Sequence, residues 1–115
     1  MHTPAVISFH GFEARPGTLT LVRDHIEKLD SRFTQITTIR VVVDAPPAHK
    51  RTGAPYDVRI EIGVPGTELV INRHPGSRDR KEEVQTAVHD AFDAAARRLE
   101  RWQSRRRHRR PDQSA

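Results

Sequence analysis

Apolar residues near the start of the chain recur at steps of three and four, and this spacing constrains the fold more than any other feature. They are Leu19, Val22, Ile26, Leu29 and Phe33. Residues at such steps share one face of an α-helix, which has about 3.6 residues per turn. Charged residues such as Arg23 and Glu27 fall on the other faces. The pattern predicts an amphipathic helix that opens at Pro16 and packs against a second layer.

The spacing then changes to a period of two, which is typical of strands with one buried side. Alternation of this kind runs through Ile36–Asp44, Tyr56–Ile62 and Glu68–Arg73. Before the helix, Ala5–Phe9 is a short β-branched and aromatic run that also predicts a strand. Pro65-Gly66 suits the two central positions of a type II turn, so the last two strands are expected to form a hairpin.

A second helical stripe occupies the end of the chain. Its apolar members are Val84, Val88, Ala91, Ala95, Leu99 and Trp102. A helix from Glu82 to about Arg107 would be about 39 Å long, and the folded body would bury only its first part.

The element order β-α-β-β-β-α contains no internal repeat and indicates an α+β fold. Both helices have one apolar face and the strands alternate, so we expect two helices packed on one face of a four-stranded sheet. A chain of 115 residues fits one domain. We place that domain at residues 1–104 and expect residues 105–115 to form a disordered, arginine-rich tail.

Positive charge is concentrated at the end of the chain. Residues 97–115 contain 8 of the 20 Lys and Arg but only 2 of the 15 Asp and Glu, a net charge of +6. The remaining 12 basic and 13 acidic residues leave residues 1–96 at −1. A local basic stripe attracts polyanions more strongly than the same charge spread evenly. The helix macrodipole favours basic residues near the C-terminal end of a helix, but this effect would explain two or three of them, not eight. The concentration of arginines therefore favours binding to RNA or DNA.

Two other features have a weaker link to nucleic acid. His49-Lys50-Arg51 lies in a loop rich in proline, and a basic triplet in a loop is more often ordinary surface. Trp102 is the sole tryptophan and lies among arginines, where it can stack on a base. Because Trp102 also continues the apolar stripe, we favour a role as a cap on the core.

The sequence contains no recognisable motif for catalysis, for binding a metal ion or for binding a cofactor. There is no cysteine, and none of the seven histidines is in a His-x-x-x-His pair. No glycine spacing matches a phosphate-binding loop, and no serine lies in a nucleophile elbow. We therefore expect a protein that is not an enzyme, with no cofactor and no small-molecule substrate.

No apolar run approaches the roughly 18 residues that span a bilayer. Met1-His2-Thr3-Pro4 lacks the features of a signal peptide, so we expect a cytoplasmic protein without a membrane partner.

Five segments, in their order and spacing, resemble the ribosome hibernation-promoting factors, also called ribosome-associated inhibitors or sigma-factor modulation proteins. The segments are Ile26-Glu27-Lys28-Leu29-Asp30 before Phe33, Ile39-Arg40-Val41-Val42-Val43, Tyr56-Asp57-Val58-Arg59-Ile60, Val64-Pro65-Gly66-Thr67-Glu68-Leu69-Val70, and Ala91-Phe92-Asp93-Ala94 leading to Arg97-Arg98-Leu99. The resemblance covers about Ile7 to Arg101 and is closest to short members, which lack the second domain that pairs ribosomes.

The resemblance implies a stress-response protein that binds RNA of the small ribosomal subunit in the channel for messenger and transfer RNA, and inhibits translation by occupying it. It also implies that basic side chains on the exposed helix faces contact ribosomal RNA. The candidate RNA-binding residues are Arg23, Lys28 and Arg32 on the first helix, His49, Lys50 and Arg51 in the loop, and Arg97, Arg98, Arg101, Arg105 and Arg106 on the last helix.

Three alternatives stay open on the residues alone. One is a general binder of double-stranded RNA, which would bind naked duplex as tightly as ribosomes. Another is a protein–protein regulator, for instance of a transcription factor, whose affinity would tolerate salt. The third, an arginine tail on an anionic membrane, is disfavoured because the tail lacks a bulky apolar face beyond Trp102.

Overall fold

The computed structural model describes residues 3–45, 56–73 and 84–114, and the elements follow in the predicted order. They are β1 (Ala5–His10), α1 (Pro16–Arg32), β2 (Thr38–Asp44), β3 (Asp57–Val64), β4 (Thr67–Arg73) and α2 (Val84–Ser114). Pro16 is the first residue of α1, where its fixed φ suits the helix and its missing N–H costs no hydrogen bond. The predicted α+β class and element order are confirmed.

The four strands form one sheet in the order β1-β2-β3-β4. β1 runs parallel to β2, and the other neighbours are antiparallel. The parallel pair needs a crossover connection, which α1 provides. β3 and β4 are joined through Pro65-Gly66, where Gly66 has a φ of +85°. Glycine adopts this left-handed conformation without strain, so the hairpin predicted from the Pro-Gly pair is present.

The core lies between one face of the sheet and the apolar stripes of both helices. Alternate strand residues such as Val41, Ile60 and Leu69 are buried, whereas Arg40, Arg59 and Val70 between them are exposed. The buried strand residues form a single cluster with the helix residues Val22, Ile26, Leu29, Phe33, Ala87, Val88, Ala91, Phe92, Ala95 and Leu99. Both helices therefore pack on the same face of the sheet, and the opposite face is open to solvent.

The two helices lie side by side and run in the same direction. Close to the middle of α1, the ring of His25 is stacked on the ring of Phe92 in α2, with centroids 5.0 Å apart. Near the end of α1, the guanidinium of Arg32 bonds to the carboxylate of Glu100. At the other flank of α1, the buried Asp30 accepts a hydrogen bond of 2.5 Å from the Thr3 hydroxyl, which ties the start of the chain to the helix.

The last helix, α2, continues beyond the part of it that packs on the sheet, and we call the sheet with the packed parts of both helices the body. Its 31 residues span about 46 Å at about 1.5 Å per residue. Burial is complete at Leu99 and partial at Trp102, and Arg105 and Arg106 are exposed. We call the segment 103–114 the arm. It continues the helix beyond residue 104, the boundary that the sequence analysis set for the folded domain, and the division into a domain and a disordered tail stays a prediction.

Replacing Leu99 with alanine tests whether the second half of α2 is anchored in the core. Leu99 has no exposed surface, so Leu99→Ala is expected to lower the free energy of unfolding by about 2–5 kcal/mol. Denaturant titration followed by circular dichroism measures the change. Arg101→Ala, two residues further on the exposed side, should change it by less than about 0.5 kcal/mol. Equal effects of the two substitutions would contradict the packing described here.

Candidate nucleic-acid interface

Four arginines of α2 form a band that we call the arginine stripe: Arg97, Arg98, Arg101 and Arg105. Arg97, Arg101 and Arg105 are exposed and Arg98 is half-buried. Residues four apart are about 6 Å apart along the helix axis and turn by about 40°, so the exposed three follow one another along the surface. The helix therefore aligns these side chains along its axis, as their spacing in the sequence indicates. Their role in binding stays a prediction.

The stripe winds round α2 from the side near α1 toward the opposite flank. The side of α2 that contacts α1 is marked by Phe92 and Glu100, which touch His25 and Arg32. At about 100° per residue, the exposed Arg97, Arg101 and Arg105 lie about 60°, about 100° and about 140° round the helix from Glu100, and the half-buried Arg98 lies about 160° from it. The arginine stripe is therefore open to a partner that approaches α2 from the solvent side.

The charges of the stripe are not neutralised within the described part of the chain. Other arginines have acidic partners there: Arg32 bonds to Glu100, Arg59 to Glu61 at 2.8 Å and Arg73 to Asp90 at 3.1 Å. No described acidic side chain forms an ion pair with any member of the stripe. Like charges four residues apart on a helix repel each other, which destabilises the isolated helix slightly. An anionic partner removes this repulsion, so the stripe is suited to phosphate.

Arg23 lies on a different surface of α1 from Lys28 and Arg32. Arg23 and Lys28 are five residues apart, which separates them by about 140° round the helix. Arg23 lines a groove between α1 and β1, whereas Lys28 and Arg32 line the same surface depression beside Asp24. The Arg32 guanidinium bonds to Glu100, the residue before Arg101, and lies 4.9 Å from the centroid of the Phe33 ring. Arg32 is therefore close to the arginine stripe, and the part of all three residues in binding stays a prediction.

The loop candidates His49, Lys50 and Arg51 fall in residues 46–55, outside the described residues. Their proximity to the last helix stays a prediction.

Trp102 and Arg106 meet where α2 leaves the body. Trp102 is half-buried and packs against the core cluster, as expected for a residue that continues the apolar stripe. The Arg106 guanidinium lies 5.2 Å from the centroid of the Trp102 ring. This distance is within the range of a cation–π contact. Arg106 thus lies over the indole, unlike the members of the stripe, whose guanidinium groups have no such contact in the described residues.

A pair of histidines at the contact between the helices was not predicted from the sequence, where these histidines were considered only for the spacing of metal ligands. The rings of His25 and His89 are 5.6 Å apart, and His89 Nε2 is 3.5 Å from Asp93 Oδ2. Burial lowers the pKa of His25 below its usual 6.5, and the charges of His89 and Lys28 lower it further. Only the packing of the two helices brings these residues together, so no local sequence signal marks them.

The open face of the sheet has mixed charge. Glu61 lies between two arginines, with its carboxylate oxygens 2.8 Å from Arg59 Nε and 3.8 Å from Arg40 Nε. Val6 and Val70 on this face are 50% and 38% exposed. A face that neutralises its own arginines is a poorer polyanion site than the arginine stripe.

The described part of the chain, residues 3–45, 56–73 and 84–114, contains no group of three or more His, Cys, Asp or Glu that could hold a metal ion. It also contains no helix long and apolar enough to cross a membrane.

The chain resembles known proteins in its sequence pattern and in its fold. The model of the family described as sigma 54 modulation protein / S30EA ribosomal protein matches residues 5–107. No curated protein matches the chain. Among solved structures, a ribosomal subunit interface protein from Coxiella burnetii is similar, with a TM-score of 0.71 and 11% identity over 89% of this chain and 99% of that one. The N-terminal domain of Protein Y from Thermus thermophilus has a TM-score of 0.60 and 16% identity over the same shares. At these identities the two likenesses show the fold alone.

The lowered pKa of His25 predicts how stability depends on pH. The unfolded chain binds a proton at His25 more readily than the folded chain, so the free energy of unfolding should be highest above pH 6.5. It should fall as the pH drops below 6.5 and level off below the folded pKa. Denaturant titrations between pH 8 and about pH 5 measure this slope. His25→Gln should flatten it, whereas Ser31→Gln, on the exposed side of α1, should keep it. An unchanged slope in His25→Gln would contradict the prediction.

Proposed function

The chain belongs to the family of sigma 54 modulation and S30EA ribosomal proteins, and we propose that it is a hibernation factor that inhibits translation on the small ribosomal subunit. The family match confirms the resemblance found in the sequence motifs, and family membership supports ribosome binding and translation regulation. In this proposal the protein occupies the channel for messenger and transfer RNA, contacts ribosomal RNA, performs no catalysis and works in the cytoplasm with the ribosomes.

The observation that carries the proposal is the arginine stripe of α2. Its guanidinium groups have no acidic partner among the described residues, and Arg97, Arg101 and Arg105 are exposed. Guanidinium is planar and donates two parallel hydrogen bonds to one phosphate, which makes arginine well suited to a sugar–phosphate surface. The rigid attachment of α2 through Leu99 fixes where these groups point.

Inhibition by occupancy requires affinity and position but no reacting group. Phosphate contacts supply affinity by releasing condensed counterions from RNA, and this part of the free energy is independent of sequence. The position of the protein on the subunit is determined by the shape of the folded domain, which presents both helices on the same face of the sheet. The proposal therefore requires no reacting group and no metal ion.

The experiment is a comparison of two variants that lose the same charge. Replacing Arg97, Arg101 and Arg105 together with glutamine removes the exposed members of the stripe, and replacing Arg15, Arg40 and Arg59 with glutamine is the control. Co-sedimentation with purified small subunits measures binding, and cell-free translation measures inhibition. We expect the stripe variant to bind at least about tenfold more weakly and to lose inhibition, while the control binds nearly as wild type.

Salt dependence of the same binding separates phosphate contacts from protein contacts. With about five to eight phosphates neutralised, the slope of log K against log salt should be about −5 to −7 for the wild type. The stripe variant should have a slope shallower by about 2 to 3. Equal binding of the stripe variant and the control, or a slope near zero, would contradict the proposal and favour a protein–protein regulator.

Naked RNA distinguishes the factor proposed here from a general binder of double-stranded RNA. The occupying factor should prefer small subunits to a duplex of about 20 base pairs at the same salt concentration. Equal affinity for the two would favour the general binder.

A further inference from the structure

The indole of Trp102 differs from the rest of the apolar stripe of α2. Ala95 and Leu99, on the same side of the helix, have no exposed surface, whereas Trp102 is only half-buried. The body ends at this point and the arm begins. One part of the ring therefore packs against the core, and another part faces the space beside the arm.

The guanidinium of Arg106, an exposed side chain, lies over the ring of Trp102. The Arg106 guanidinium lies 5.2 Å from the ring centroid, and no acidic side chain among the described residues holds it there. A cation–π contact at an exposed position is worth only about 0.5–1 kcal/mol. Arg106 can therefore leave the ring, or move further from it, at little cost in free energy.

An aromatic face next to arginines that have no acidic partner among the described residues has the chemistry that binds an unpaired nucleobase. Proteins bind single-stranded RNA by stacking its bases on aromatic rings and on guanidinium planes while arginines contact the phosphates. Trp102 provides the ring, Arg106 a guanidinium plane, and Arg101 and Arg105 provide phosphate contacts one residue before Trp102 and three after it.

We propose that Trp102 and Arg106 form a stacking site for an unpaired base of RNA, at the junction of the body and the arm. The base lies on the exposed part of the indole, and Arg106 moves to cover the other side of the base. This proposal rests on the proposed function, because it gives the arginine stripe a second mode of contact with RNA. It adds a preference for RNA with an unpaired base next to the phosphates that the stripe binds.

Other ligand chemistries fit this site less well. A phosphate alone has no reason to lie on an indole, since the ring face is apolar and carries the negative end of the quadrupole. An acidic peptide would pair with the stripe but would leave the ring unused. A base paired in a duplex has both faces stacked on its neighbours, so it cannot reach the ring without being unstacked.

Tryptophan fluorescence reports directly on this site, because Trp102 is the only tryptophan in the sequence. The probes are a single-stranded RNA of 12 nucleotides without secondary structure, and an abasic ribose–phosphate chain of the same length. Titration of the wild-type protein should quench and shift the fluorescence of Trp102 with the RNA, and change it far less with the abasic chain at equal saturation. Equal changes with the two chains would overturn the proposal.

Two substitutions measure what the ring contributes. Trp102→Leu keeps an apolar side chain against the core but has no ring, and should weaken binding of the 12-nucleotide RNA about tenfold. Its affinity for the abasic chain and the slope of log K against log salt should stay as in the wild type. Trp102→Phe keeps a ring and should recover much of the lost affinity. An equal loss for both chains would mean that Trp102 acts only through the fold.

Failure of this inference is distinguishable from failure of the proposed function. If small subunits bind normally and Trp102→Leu binds the RNA as tightly as the wild type, the stacking site is absent and the hibernation proposal stands. If the wild type does not bind small subunits, the hibernation proposal fails. Fluorescence with the 12-nucleotide RNA still decides whether a base stacks on Trp102.

Discussion

The packing of the apolar stripe of α2 on the sheet determines where every charge on the helix points. Ala95 and Leu99 are fully buried in the same cluster as Ile60 and Leu69. Burial of this kind allows almost no rotation of the helix about its axis, because a turn of one residue would expose the stripe and bury charged side chains. Arg97, Arg101 and Arg105 are therefore held on the exposed side of α2, and this orientation is the physical basis of the proposed RNA contact.

Charged groups are neutralised at the contact between the helices but not along the arginine stripe. Where α1 meets α2, the guanidinium of Arg32 pairs with the carboxylate of Glu100, and the ring of His25 stacks on that of Phe92. In the arginine stripe of α2 the arginines lack acidic partners among the described residues. A surface ion pair such as Arg32 with Glu100 adds little to stability, but it lowers the positive charge that a phosphate meets there. Among the described residues, the arginine stripe is therefore a surface where positive charge is not neutralised.

Much of the fold could be predicted because the spacing of apolar residues reports directly on secondary structure. The steps of three and four through Val22 and Ile26, and the alternation through Val41 and Val43, are strong signals, and the Pro65-Gly66 pair fixes the hairpin. The arrangement of the candidate binding residues was harder to predict from the sequence. A sequence indicates that Arg23, Lys28 and Arg32 are exposed on a helix, but the direction each faces depends on how that helix packs. The ion pair of Arg32 with Glu100 became visible only in the folded chain. The pair of His25 and His89 depends on the same packing and lies 64 positions apart in the sequence, so composition and spacing do not reveal it.

Photo-crosslinking of the full chain to small ribosomal subunits tests most directly whether the outward flank of α2 lies on RNA. A photoreactive amino acid at position 101 reports on the arginine stripe, and one at position 59 reports on the open face of the sheet. The account predicts crosslinks from position 101 mainly to ribosomal RNA, with a clearly lower yield of RNA crosslinks from position 59. Crosslinks from position 101 to ribosomal proteins alone, or equal RNA yields from the two positions, would contradict it.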